Sequence, residues 1–349
     1  MKPDGRQPPR DEDWRHAAED GDQAPLAVAR ARAAEPGRGR DASAPEEIPA
    51  LGWHDILWRI LKAIPEDRVF STAGSVAFFT LLAIFPGLAT VVSLYGLYAD
   101  AGAIRDHLEL LVGVIPYGVL ALVGDELSRV AAQRSNTLGL TFGTALALSL
   151  WSANSGVSAL FDALNVVYRE REKRSLLRLY GTTFLFTLGG ILFVLLAISA
   201  VVVLPLALGF LGFADQSKRV VNLVRWPVLL LAVMFGLAVV YRFGPSRRAA
   251  KWRWVSWGSI AAALLWLAAS MGFSWYVSSF DSYNRVYGSL GAGVGFMTWI
   301  WISAVIVLVG AELNAEMEHQ TAVDTTQGRP KPLGARGAVV ADTVGESQR

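Results

Sequence analysis

The chain has 349 residues, 53% of them hydrophobic, with 32 Lys and Arg, 30 Asp and Glu and a net charge of +2. Residues 1–72 carry 25 of these charges and residues 313–349 carry nine, so the 240 residues between hold only 28. A soluble domain is about 25% charged, so this distribution excludes a soluble enzyme, a nucleic-acid-binding module and a disordered chain, and leaves an integral membrane protein with polar tails.

Residues 1–52 read as a disordered tail, rich in Ala, Arg, Asp, Glu, Gly and Pro with few large apolar side chains. No apolar stretch follows the first residues, so insertion is expected to rely on an internal segment. At 53–64 the residues Trp53, Ile56, Leu57, Ile60, Leu61 and Ile64 recur at helical spacing, with His54, Asp55, Arg59 and Lys62 elsewhere. That pattern predicts a short amphipathic helix, seated either in the bilayer interface or on the protein's own helices.

Six uncharged runs follow, at 69–99, 135–161, 179–214, 226–241, 254–280 and 286–311. A spanning helix needs about 20 apolar residues. The runs predict an all-α, polytopic bundle of six transmembrane helices at about 73–97, 137–161, 181–211, 224–242, 255–279 and 287–311. The fourth run is short, and Arg225 and Arg242 can snorkel from its ends. Pro86 and Pro205 predict kinks within the first and third spans. Between the first two spans, 101–134 reads as two amphipathic helices broken at Pro116, forming either a surface cap or a re-entrant pair. Residues 321–349 read as a second disordered tail.

With the N-terminus inside, the inner segments carry 13 Lys and Arg and the outer ones seven, so both termini are expected in the cytoplasm. Trp226, Trp252, Trp254 and Trp257 sit where an aromatic belt is expected. Close helix packing is the reading for Gly288, Gly291, Gly293 and Gly295, since no strand precedes them to make a phosphate loop.

No soluble catalytic motif is present. The chain has no cysteine, and His16, His54, His107 and His319 are scattered without a metal-ligand spacing. No metal, cofactor or catalytic set is expected. The informative residues are polar groups at span ends, because ionisable side chains near membrane depth are costly. Three clusters qualify. Asp162, Asn165 and Tyr168 end the second span at a spacing of three that suggests one helical stripe. Asp281, Tyr283, Asn284 and Tyr287 lie between the fifth and sixth spans. Glu312, Asn314 and Glu316 close the sixth. They can line a pathway. They can equally be structural: Asp162 pairing with Arg169 or another loop cation, Asp281 and Asn284 shaping a turn, Glu312 resting among headgroups.

Four separated stretches carry a resemblance: AGSVAFFTLLAIFP at 73–86, ALNVVY at 163–168, YRFGP at 241–245, and SYNRVYGSLG at 282–291 running on to GAELNAE at 310–316. Together, over about 53–320, the chain resembles the YihY/BrkB family of bacterial inner-membrane proteins. The resemblance implies six spans in the cytoplasmic membrane with both termini inside, and it carries over no catalytic residues. The family's older label of ribonuclease BN is regarded as mistaken. The expected function is a transporter or exporter of a small or amphiphilic envelope-related solute. The alternatives are a non-transporting envelope scaffold and, behind it, a lipid-acting enzyme. Membrane lipids and a solute are the expected partners, with self-association left open and nucleic acid not expected.

Overall fold

The computed structural model describes residues 24–98, 135–198, 215–279 and 289–348. The helix pair expected at 101–134, Pro205, and Asp281, Tyr283, Asn284 and Tyr287 lie outside the described residues. The described chain is helical: α1 (Ala24–Ala33), α2 (Ala50–Glu66), α3 (Val69–Tyr98), α4 (Ser135–Val167), α5 (Leu176–Ile198), α6 (Asp215–Phe243), α7 (Trp252–Ser279), α8 (Ser289–Gln320) and a single turn, α9 (Val339–Asp342). Pairing outside helices is confined to one isolated antiparallel bridge, Ala250 with Thr326, among the described residues.

Four segments among the described residues are long and apolar enough to cross a membrane: Leu176–Ala197, Trp226–Phe243, Trp252–Tyr276 and Gly293–Gln320. Val69–Ala83 is a shorter apolar helix. Where the first two spans are predicted, α3 and α4 run for 30 and 33 residues, and Pro86 falls inside α3. Large apolar side chains stay uncovered along these helices: Leu177 is 86% exposed and Trp275 71%. A soluble fold does not leave such a continuous apolar surface bare. The protein is an all-helical, polytopic membrane protein.

Its helices pack through small residues, as expected where lipid removes the hydrophobic drive between spans. Buried Ala73 and Ala77 of α3, Ala262 and Ala263 of α7, and Ala304 and Ala311 of α8 let backbones approach. Glycines bring α7 and α8 close together. A Cβ on Gly258 would lie 2.2 Å from the Gly310 carbonyl oxygen. Of the four glycines expected to pack closely, Gly293 and Gly295 meet no neighbour within 4 Å among the described residues, and Gly288 lies outside them.

The amphipathic helix α2 answers the interface-or-protein question with both. Its buried face is Gly52, Asp55, Ile56, Arg59, Ile60 and Ala63. Leu57, Trp58 and Leu61 remain exposed, a face suited to the bilayer interface. Arg68 takes a left-handed backbone conformation, φ 50°, at the turn into α3.

Two expectations are corrected. Trp254 is 1% exposed and belongs to the core, whereas Trp226, Trp252 and Trp257 are exposed as a belt requires. The second concerns the tails. Residues 24–52 and 321–348 are built against the end of the bundle where α8 finishes, here termed the polar end. Composition suggests disorder there because large apolar side chains are few. The ordering comes instead from Arg and Asp acting as multiple donors and acceptors to backbone groups. Arg336 donates to the carbonyls of Ala322 and Ala341, both at 2.6 Å, and to Lys331 at 3.1 Å. Asp342 accepts the N–H groups of Gly334, Arg336 and Gly337. Arg40 ties the two termini together, donating to the carbonyls of Gln320 at 3.0 Å and Gly345 at 2.8 Å.

Candidate functional site

The last turns of α8, at the end of its apolar segment, carry Glu312, Asn314, Glu316, Glu318, His319 and Gln320, all buried. One helix presents these residues on several faces, so α2, α7, the loops and the C-terminal segment each meet some of them. Arg59 of α2 donates through Nε to Glu316 and through Nη2 to Gln320 Oε1 at 2.7 Å. Arg169, in the loop after α4, reaches the other Glu316 oxygen at 3.3 Å. Arg247, in the loop after α6, grips Glu318 with two nitrogens, at 2.5 and 3.1 Å, and both side chains are fully buried. Thr325 adds a hydrogen bond to Glu318 at 2.7 Å, and the Arg247 guanidinium lies 4.3 Å from the Tyr168 ring centre. Burial, the largest single influence, would pull Arg247 down; the charge and hydrogen bond of Glu318, with Tyr168 and Glu170 assisting, together outweigh it and hold the guanidinium above its ordinary value.

Asn314 closes the α7–α8 contact. Its Oδ1 accepts from the Gly258 N–H at 2.8 Å and its Nδ2 donates to the Val255 carbonyl at 3.3 Å. Glu312 is buried beside Asp67 of the α2–α3 turn. At the end of α4, Asn165 accepts from the Ser246 N–H at 2.7 Å and donates to Glu172 at 3.1 Å. Tyr168 is fully buried.

Asp162 goes a different way. It is exposed and makes no hydrogen bond or close ion pair among the described residues; of the loop cations it is Arg174, not Arg169, whose charge acts on it, with Glu172 opposing. A step of three residues falls about 60° short of a full turn, so Asn165 and Tyr168 rotate into the core while Asp162 stays out. The common stripe expected for these three is therefore corrected. Asp162 aligns instead with residues four and eight earlier, Ser158 and Asn154. Ser158 Oγ is buried without a partner, and Asn154 Oδ1 accepts from Thr187 of α5 at 3.4 Å. Asn154 and Ser158 are common helix residues, and in the sequence only their four-residue spacing down to Asp162 marks them out.

The Glu172 carboxyl is pulled down to about 2, first by hydrogen bonds from the Arg174 side chain, with burial opposing and the Arg174 N–H, Asn165 and Ser246 assisting. A depressed carboxyl contributes its stability above its unfolded value, near 4.5, and loses it as pH falls toward about 2. Thermal midpoints of the purified protein are expected to drop across that window, and Glu172→Gln is expected to flatten this part of the profile. Parallel profiles for the two proteins would contradict the assignment.

Among the described residues no group of three or more His, Asp or Glu is placed to hold a metal ion. The polar end offers structural ion pairs, and α4 offers one polar stripe with an unpaired carboxylate.

Comparison with known proteins gives a consistent picture. The family described as virulence factor BrkB matches residues 60–333. A ribonuclease-like protein, YfkH, of Bacillus subtilis (strain 168) is 30% identical over 249 residues, covering 70% of this chain and 88% of its own. A UPF0761 membrane protein of Vibrio atlanticus is 29% identical over 266 residues, 75% of this chain and 82% of the relative. Another, of Rhodospirillum centenum, is 31% identical over 300 residues, 83% of this chain and 64% of the relative. No solved structure matches. The matched region runs from within α2, through the polytopic bundle, to the segment folded under α8, and the chain belongs to the BrkB family.

Proposed function

We propose that the protein is a six-span protein of the bacterial cytoplasmic membrane, with both termini inside, that transports or exports a small or amphiphilic envelope-related solute. The observation that carries this reading is the polar stripe Asn154, Ser158 and Asp162 on α4, with its unpaired carboxylate, facing Thr187 of the highly apolar α5. Polar groups on a helix predicted to span are expensive, and a hydrated route gives them a purpose. Asp162 stands at the inner mouth and binds a cation or relays a proton, with Glu312 beside Asp67 as the second carboxyl on the route. The protein is not expected to be an enzyme, and the word ribonuclease in the name of one relative gives no residue a role here.

Translocation of a fluorescent short-chain phospholipid in proteoliposomes tests the reading. Asp162→Asn is expected to slow it roughly tenfold, the effect of about 1.4 kcal/mol of lost stabilisation. Unchanged rates in both Asp162→Asn and Glu312→Gln remove these residues from the mechanism. A scaffold without transport is the second reading, favoured by the buried ion pairs that lock the termini to the span ends. It predicts no translocation by the wild type and stable partners in detergent pull-downs.

A further inference from the structure

A cavity of about 520 Å³ lies between the start of α5 and the end of α6. The sequence offers no basic groove because its cations are far apart in the chain. The fold gathers Lys173, Arg174, Arg178, Arg242, Arg247 and Arg248 around this one space, and no carboxylate lines it. Three of the six cations are neutralised nearby: Lys173 by Glu170, Arg174 by Glu172 and Arg247 by Glu318. Arg178, Arg242 and Arg248 have no carboxylate partner among the described residues. The walls also hold donors that no protein acceptor meets. Nε of Arg242, Nε of Arg247 and one terminal nitrogen of Arg248 are buried and unpartnered. Uncompensated positive charge around an open space, with unmet N–H groups buried in the same side chains, suits an anion with several oxygens.

The surroundings indicate which anion. Ser175 and Thr182 add hydroxyls to the lining. Leu176, Leu177 and Tyr180 beside it are exposed on α5, and Phe243 and Trp252 are exposed across the opening. Arg242 is itself stacked 4.4 Å over the Trp252 ring. A cationic seat flanked by bare aliphatic and aromatic side chains, at the ends of two apolar helices, matches a phosphate group that belongs to a lipid whose chains lie along α5.

We propose that this cavity binds the phosphate of an anionic phospholipid headgroup from the inner leaflet. The site is distinct from the α4 stripe and requires no transport. Arg178 and Arg248 supply the uncompensated charge, Arg242 supplies a fixed donor, and Ser175 and Thr182 orient the phosphate oxygens.

The test uses the purified full chain in detergent, with phosphatidylglycerol, phosphatidylcholine or inorganic phosphate added, read by thermal midpoint and by lipid retained in native mass spectrometry. Phosphatidylglycerol is expected to raise the midpoint and be retained, phosphatidylcholine to do neither, and added salt to weaken the effect. Arg178 is exposed and unpaired, so Arg178→Gln leaves the fold intact, and it is expected to weaken phosphatidylglycerol binding about fivefold. Adding Arg248→Gln compounds the loss. A shift with inorganic phosphate that matches the lipid's and is lost in both variants supports the phosphate seat while assigning it to free phosphate. Equal binding of phosphatidylcholine, or unchanged binding in the double variant with its midpoint intact, overturns the proposal.

Discussion

Glu318→Ala is expected to destabilise the protein by about 3–5 kcal/mol, the known range for leaving one member of a buried ion pair without its partner. Both side chains of the Glu318–Arg247 pair are fully buried. Removing the carboxylate strands a guanidinium that is wedged against the Tyr168 ring, and it also takes the acceptor from Thr325. The thermal midpoint in detergent should fall accordingly, with detachment of 321–348 seen as faster proteolysis of that segment. The double replacement Arg247→Met with Glu318→Leu separates the penalty of a stranded charge from the worth of the pair. It is expected to recover most of the loss, because apolar side chains of similar volume can replace a buried pair at little cost. A single-variant loss within ±0.5 kcal/mol, the range of an ordinary surface change, would show that the pair is not buried in the membrane-inserted protein.

Gly258→Ala is the second large effect. The added methyl carbon would stand 2.2 Å from the Gly310 carbonyl oxygen and 2.4 Å from Asn314 Oδ1. The Asn314 amide can swing aside, but the Gly310 carbonyl is backbone and cannot, so α7 and α8 must separate. Overpacking of this kind costs about 1–3 kcal/mol or more, against a gain of about 1 kcal/mol from replacing glycine in a helix. The expected outcome is a lower thermal midpoint and poorer yield of monodisperse protein. Gly293→Ala is the control: that position has no neighbour within 4 Å among the described residues, so the helix-propensity gain should stand alone. Equal behaviour of the two variants would refute the close crossing.

These variants mark the limit of legibility in the sequence. Gly288, Gly291, Gly293 and Gly295 form a visible glycine cluster, yet the close contact among the described residues is made by the isolated Gly258 and Gly310. Glycine spacing on one helix does not say which face meets a neighbour. Glu312, Asn314 and Glu316 stood out because charges directly after an apolar run are conspicuous. Their partners Asp67, Val255 and Arg59 did not, since they lie on other helices and in loops. Asp55 and Arg59 looked like the wet side of α2, but they are buried because the C-terminal segment folds over them: the Gln348 N–H reaches Asp55 at 2.9 Å, and Arg59 reaches the Glu346 carbonyl at 3.0 Å.

The scarcity of charge between residues 73 and 312 determined the membrane class by itself. The cost of a charge in hydrocarbon leaves such a stretch only one solvent, and helices are the way to satisfy its backbone there. The tertiary structure alone decided which few charges act together. It drew the cations after α4 and α6 into one basic cavity, paired Arg247 with Glu318, and folded residues 24–52 and 321–348 under α8. Apolar character is a local sum over a window, readable from the chain. Ion pairing and cavity formation depend on contacts between residues dozens to hundreds of positions apart, and those follow only from how the helices cross.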